Sequence, residues 1–500
     1  MDNSRKVSTN LMLGFLSELL TIVLGVLVPR FILTSYGSEV NGLLTSVTQI
    51  YSFVSLLEAG IGTATIQALY KTVGNKSKDE TNSILAATNH YYHRTGILYL
   101  VAILAFSIIY PLIVETEIPT ITIVLVIVFN GMGSVISYFF QAKYFLLLQA
   151  EGKNYIQTSL TMFTNIFKNV AKIFLMAYGF DVVFVQAISM VISLIQMIYV
   201  TWYIKRYYDW IDLSVKPNYE AISQSKNVMV HQISGLIYNN TDTIILTMAC
   251  GLKTVSVYSM YTMLFSMIRT LLGTVSSSVQ FVLGQAFNVD RDHFIKLYDV
   301  YELYYVTLVF SLYSVANFFI LPFMKLYTAG VTDIDYIDSI LPLLFISTYL
   351  LSCGRNAPNL AICFDCRFKE TQNRAIAETV INLSVSIVAV HFWGIYGVLV
   401  GTIAALLYRS NDMIIYASRH VLRRKVWITY KRWLVNLLLF IVICIINQFI
   451  RFDLSSYGKI IFICIPYTII MVSAFIIVAS LSEPKTAKYA ICLIKKKIGR

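Results

Sequence analysis

The sequence predicts an all-α, polytopic membrane fold: about fourteen transmembrane helices, set out as two parallel six-helix lobes followed by two further helices. Three observations predict it. Of 500 residues, 57% are hydrophobic and 13% charged, with a mean hydropathy of +0.68. Soluble domains carry about 25% charged residues. Apolar runs of the roughly 20 residues needed to cross a hydrocarbon core recur along the whole chain. Its first half also aligns with its second on a shift of about 214 residues, the mark of an internal repeat. So little polar surface cannot clothe a water-soluble globule, which excludes soluble enzymes, nucleic-acid binders and secreted disulfide scaffolds.

The runs are 9–33, 41–68, 93–114, 119–147, 155–178, 181–204, 227–249, 255–287, 298–327, 339–365, 371–391, 394–417, 430–450 and 457–481. Arg5 and Lys6 precede the first as they would a signal peptide. That run is too long and carries Glu18 and Pro29, so it counts as a span. Breaks between runs are short, the longest near 71–92, 205–226 and 418–429. The 39 Lys and Arg exceed the 27 Asp and Glu by a formal +12. Nearly all loop cations fall on one side of the fourteen-span scheme, including Lys71, Lys76, Lys78, Lys205, Arg206, Arg419, Arg423, Arg424 and the tail lysines. The opposite loops hold only Lys253, Arg451 and Lys459 among cations, with the acids Glu39, Glu115, Glu117, Asp181, Asp333, Asp335, Asp338 and Asp453. The positive-inside rule then places both termini of this multi-pass protein in the cytoplasm. The excess charge is a topology signal and an attraction to anionic membrane lipids, with no nucleic-acid partner implied.

In the repeat, Tyr36-Gly37 falls on Cys250-Gly251, and Thr45, Thr48 and Ser52 fall on Ser259, Thr262 and Ser266. Six spans is an even number, so the two units insert the same way up. The expected organisation is a lobe over 1–210, a second over 211–425, and two extra helices with a basic tail over 426–500.

Polar residues inside spans face a cavity or a partner, because lipid exposure is costly. On the fifth span Thr158, Thr161, Asn165, Lys168, Asn169 and Lys172 fall within an arc of about 100°. Two lysines a turn apart repel each other, which suits a water-filled or anion-binding face. The eighth span carries Thr262, Ser266, Arg269, Gly273, Ser276 and Gln280 on one stripe; Arg269 either binds an anion or pairs with Asp242. The seventh places His231, Ser234, Tyr238 and Asp242 together, and the tenth offers Thr348, Ser352, Arg355 and Asn359 with a kink at Pro358. Arg30 lies near a span end, where snorkelling competes with a site role. Arg374 and Glu378 have the spacing to satisfy each other, and Arg409 and Asp412 read as interfacial. Lys168, Lys172, Arg269 and Arg355 outnumber Glu18, Glu58 and Asp242 by one, which favours an anionic substrate. The carboxylates, with His231, are the candidates for H⁺ or Na⁺ coupling; no cofactor or metal site is expected.

The seven cysteines lie in or beside apolar segments, and Cys363–Cys366 has CxxC spacing without a second pair. A structural role is expected. No phosphate-binding GxxxxGK[ST], HExxH or GxSxG occurs. Asp333-Ile-Asp335 resembles a DxD glycosyltransferase motif, but its loop is too short to hold a sugar donor. A transferase or polymerase is therefore the third reading, behind a cation-coupled exporter of drugs or metabolites.

Pro29-Arg30-Phe31-Ile32-Leu33, Tyr36-Gly37-Ser38-Glu39-Val40-Asn41-Gly42-Leu43, Leu57-Glu58-Ala59-Gly60-Ile61-Gly62 and Ala68-Leu69-Tyr70-Lys71 together resemble one family. They are similar to the Wzx-type polysaccharide biosynthesis flippases of the multidrug/oligosaccharidyl-lipid/polysaccharide exporter superfamily. The resemblance extends over essentially the whole chain. It implies a MATE-like pair of lobes around a central cavity, and movement of an undecaprenyl-pyrophosphate-linked oligosaccharide to the outer leaflet by alternating access. The cavity cations it implies are Arg30 and Arg269, to which the stripes add Lys168, Lys172, Arg355 and Asn165. By the same resemblance the last two helices form a groove for the lipid tail, and the partners are a polymerase and glycosyltransferases of the same pathway. The capsule, exopolysaccharide or O-antigen that is served stays open.

Overall fold

The computed structural model describes residues 3–55, 61–222, 226–365 and 368–498, and the described chain is helical throughout, with no strand. It divides into two compact units, residues 1–256 and 257–500. Among the described residues, ten helical stretches are long and apolar enough to cross a membrane.

Unit 1 begins with α1 (Asn3–Val54), a pair of helical arms joined at Gly37. Gly37 has φ 82° and ψ 179°, which a side chain would strain. After α2 (Ile61–Gly74) come α3 (Lys78–Ile113) and α4 (Thr120–Ile136). A π-helical turn, Ser137–Gln141, joins α4 to α5 (Ala142–Ala150). Next are α6 (Asn154–Ala177) and α7 (Val182–Tyr207), the latter capped by Asp181, whose carboxylate accepts from the Phe184 amide at 2.7 Å. The unit closes with the first arm of α8 (Lys226–Val289). α8 turns at Gly251 with φ 80° and ψ 172°. The two positive-φ glycines are 214 residues apart and have nearly the same torsions.

Small residues let the second arm of α1 touch α8 backbone to backbone beside the Gly251 turn. A Cβ on Gly42 would lie 1.9 Å from the Leu252 carbonyl oxygen. Beside it the Asn41 amide donates to Ser256 Oγ at 2.8 Å, and Thr247 Oγ1 donates to Ser46 Oγ at 2.9 Å. This is the membrane pattern of small side chains plus interhelical hydrogen bonds, needed because lipid supplies no hydrophobic drive between helices. One apolar core joins Leu43, Val47 and Tyr51 of α1 to Tyr99 and Ile103 of α3 and Val126 and Ile127 of α4.

Unit 2 continues with α9 (Arg291–Tyr327), α10 (Leu341–Gly354) and α11 (Asn356–Phe364), then α12 (Phe368–Trp393) and α13 (Ile395–Tyr416). After them come α14 (Trp427–Asn447), α15 (Tyr457–Ser482) and α16 (Pro484–Ile498). Its aromatic core stacks Tyr261, Phe265, Tyr349 and Phe345 with ring centroids 5.5–5.8 Å apart. The repeat reappears inside each unit. Tyr99 donates to the Tyr51 carbonyl at 3.4 Å with rings 6.1 Å apart, and Tyr313 donates to the Phe265 carbonyl at 3.4 Å with rings 6.1 Å apart. Each partner of the second pair lies 214 residues after its counterpart in the first.

Two expected spans are not among the ten. α6 is long enough at 24 residues but carries two lysines, and α10 and α11, at 14 and 9 residues, are broken at Arg355. The lysines of α6 and the Arg355 at which α10 and α11 break are among the candidate site residues.

Candidate functional site

α6 packs on α1 and α7. Its polar face has Asn165 exposed and Lys168 and Lys172 half-buried. The Asn169 amide donates back to the Asn165 carbonyl at 2.8 Å. Among the described residues neither lysine has a carboxylate within 4.0 Å. Two like charges a turn apart without counter-ions are costly inside a helical bundle unless water or an anion meets them. On α1, Arg30 is half-buried and Glu18 is exposed. Asp242, on the first arm of α8, is buried at 6% exposure. Glu58 and the side chain of His231 lie outside the described residues.

In unit 2 Arg269 is exposed on the second arm of α8, within electrostatic reach of Tyr305, Tyr313 and Cys353. Arg355 is different. Its guanidinium sits 2.5 Å from Glu378 of α12 and belongs to a chain of charges. Glu378 also meets Arg409 at 3.5 Å, Arg409 meets Asp412 at 2.8 Å, and Asp412 accepts from Arg374. This corrects one expectation: Arg374 and Glu378 do not satisfy each other. Arg409 has a side chain only 5% exposed. The helices α12 and α13 bring together charges 31 to 38 residues apart, a pairing that i,i+4 spacing cannot reveal.

A second ion cluster has no signal in the sequence pattern. Arg432 of α14, fully buried, donates to Glu302 of α9 and reaches Asp299 at 3.1 Å and Glu483 at 2.7 Å. Arg424 joins both Asp299 and Glu302. Glu483 lies between α15 and α16; burial pushes its carboxyl up, and the Arg432 guanidinium outweighs this and holds it below the ordinary range. The cluster fixes α14 and the α15–α16 corner to one face of α9.

The other face of α9 opens onto an apolar groove of about 740 Å³, walled by α8, α9, α15 and α16. Val279, Leu308 and Ile476 line it, and Tyr304 bridges to Ser480 of α15 at 3.0 Å. At its polar edge Tyr301 shares a hydrogen with Ser276 at 2.8 Å, and Tyr305 accepts from Asn356 at 2.9 Å, the residue after Arg355. Of the two helices expected to form a groove, α15 lines this one together with α16, and α14 does not.

The acidic loop over 333–338 has a structural task. Asp338 accepts from the Ile340 and Leu341 amides at 2.6 and 2.9 Å and from the Tyr396 hydroxyl, and Asp335 closes a turn on Ile337 at 2.8 Å. Partial burial pushes the Asp338 carboxyl up, but these donors prevail and hold it below the usual range. Among the described residues no group of three His, Cys, Asp or Glu side chains could hold a metal.

The family described as polysaccharide biosynthesis protein matches residues 4–281, more than half of the chain. The chain belongs to this family. Similar solved structures include a lipid II flippase, MurJ, in an inward closed conformation, at 14% identity and a TM-score of 0.66, covering 98% of this chain and 99% of that one. An inward-facing multidrug resistance MATE family transporter of the MOP superfamily is 14% identical, with a TM-score of 0.62 over 80% of this chain and 94% of that one. A mutant form of the Vibrio cholerae MATE transporter VcmN is 13% identical, with a TM-score of 0.55 over 85% of this chain and 99% of that one. No protein of curated function matches in sequence. At these identities the structures establish the fold alone. Family and fold together make the chain a multi-pass membrane protein of the polysaccharide biosynthesis family with the fold of these transporters.

Proposed function

We propose that the protein is a flippase that carries undecaprenyl-pyrophosphate-linked oligosaccharide repeat units across the cytoplasmic membrane by alternating access. The observation that carries this is the acid-free basic face of α6, where Lys168 and Lys172 lack carboxylate partners among the described residues. A pyrophosphate leaving water must be met by fixed charges and donors. Asn165, Arg30 and Arg269 are the further ligands, and Arg355 becomes one when Glu378 releases it. The groove in unit 2, with an almost wholly apolar lining, has the chemistry of a polyprenyl tail. Asp242, Glu58, Glu18 and His231 are the candidates for coupling to a proton or sodium gradient.

Fourteen spans follow if the glycine-bent stretches Leu16–Val54 and Asn240–Phe287, 39 and 48 residues long, each cross twice. α6 and the broken α10–α11 pair supply the remaining two. Two six-helix lobes over 1–210 and 211–425, a C-terminal part over 426–500 and cytoplasmic termini complete the arrangement. Its partners are membrane lipids and the polymerase and glycosyltransferases of the pathway.

The test is a strain lacking this protein, complemented with wild type or with Lys172→Ala/Arg269→Ala. The double variant is expected at normal membrane levels, with lipid-linked repeat units accumulating and polymer export abolished. Unimpaired export would overturn the site. A deletion strain that accumulates no lipid-linked intermediate but becomes drug-sensitive would replace the flippase reading with an exporter.

A further inference from the structure

Unit 1 contains a cavity that none of the charged residues lines. It has a volume of about 260 Å³ and is walled by Tyr92 of α3, Ser134 of α4, Ser137 and Tyr138 of the π-helical turn, Gln149 of α5 and Gln157 of α6. The π-helical turn opens it by adding a residue to one helical turn, and such bulges recur at functional sites. Tyr138 is packed between Tyr92 and Tyr99, with ring centroids 5.9 and 5.5 Å away, so its orientation is fixed. Among the described residues the side chains of Gln149 and Gln157 meet no hydrogen-bond partner.

The lining decides the ligand class. No wall residue is ionised, so neither a phosphate nor a drug cation finds a counter-charge. Amides and hydroxyls both donate and accept, which matches a ligand bearing hydroxyl groups around an apolar ring. Tyrosine offers an aromatic face with a polar edge, complementary to the same ligand. The volume lies below the about 300–1,000 Å³ typical of drug-sized ligands and suits one or two sugar rings. Position supplies the second argument. At about 100° per residue Gln157 falls in the same arc of α6 as Thr161, Asn165, Lys168 and Lys172. It precedes Lys168 by eleven residues, about 16 Å along the helix, the reach of a few linked sugars.

We propose that this cavity is a sugar subsite, which receives a neutral sugar of the repeat unit while Lys168 and Lys172 hold the pyrophosphate of the same molecule. The inference rests on the flippase reading for its ligand but on separate residues for its site.

The test uses full-length protein in lipid nanodiscs and two probes: undecaprenyl pyrophosphate, and the lipid-linked repeat unit extracted from the deletion strain. Gln149→Leu/Gln157→Leu removes two donors and acceptors without touching a packed side chain. It should weaken binding of the repeat-unit lipid on the order of tenfold, as loss of two hydrogen bonds requires. Binding of undecaprenyl pyrophosphate should stay within about twofold of wild type. Lys168→Ala/Lys172→Ala should weaken both probes. Unchanged repeat-unit binding in the glutamine variant would make the cavity a water-filled pocket only and overturn the proposal, as would equal loss for both probes. Insensitivity to the lysine pair, with the glutamine effect retained, would overturn the pyrophosphate assignment and leave the sugar subsite standing.

Discussion

Replacing Arg432 by Met should destabilise unit 2 by breaking the cluster that fixes α14 to α9. In the native protein two arginines, Arg424 and Arg432, neutralise three acids, Asp299, Glu302 and Glu483. Without Arg432 one arginine faces three carboxylates, and Glu302, at 1% exposure, has no water to turn to. Removing one partner of a buried pair costs about 3–5 kcal/mol, because a charge is left uncompensated. A unit of this size shifts by about 2–4 °C per kcal/mol, so the melting point should fall on the order of 10 °C. Thiol labelling during heating in detergent is a suitable assay. Cys444 of α14 accepts from Asn317 of α9 at 3.3 Å, so it becomes reactive as the two helices part. Arg432→Met/Glu302→Leu removes both charges and should recover much of the loss, with a coupling of about 0.5–3 kcal/mol. Strictly additive single and double variants would refute the reasoning. So would a melting point for Arg432→Met within about 2 °C of wild type, a shift worth less than about 1 kcal/mol.

Gly42→Ala should cost more than the usual about 1–3 kcal/mol of overpacking, because the new methyl meets the Leu252 backbone at 1.9 Å. Size-exclusion profiles of the detergent-extracted protein would show loss of the monodisperse peak, and an unaltered profile would argue against the close crossing. Asp338→Asn should weaken the start of α10 by about 1 kcal/mol, as for other lost caps, read as faster hydrogen exchange at the Leu341 amide. Because the Asp338 carboxyl is held below its ordinary range, wild-type protection should be full above the ordinary value of about 3.9. It should fall only as pH drops through the depressed value, whereas the variant should show no such step.

The polytopic membrane fold, the repeat and the basic stripe on α6 were legible because each is periodic: apolar runs of bilayer length, a 214-residue shift, a 100° turn per residue. Gly37 and Gly251 show how far this reaches, since alignment alone pairs them and both adopt positive φ. The polar cavity of unit 1 was partly legible: Gln157 shares the lysine arc, but Tyr92 and Gln149 come from other helices. The pairing of Arg355 was not legible. Its counter-ion, Glu378, stands on α12, and in sequence the acid had a nearer apparent partner in Arg374.

The sequence by itself determined the solvent this protein folds in, the family to which it belongs, and the helix face that carries two lysines a turn apart. Those properties depend on composition and on spacing within one helix. Only the tertiary structure decided which charges are neutralised, as in Arg432 with Glu302 and Arg355 with Glu378, and which helices wall the groove and the polar cavity. Ion pairs and cavities depend on distances between helices far apart in the chain, and a one-dimensional pattern does not encode those distances.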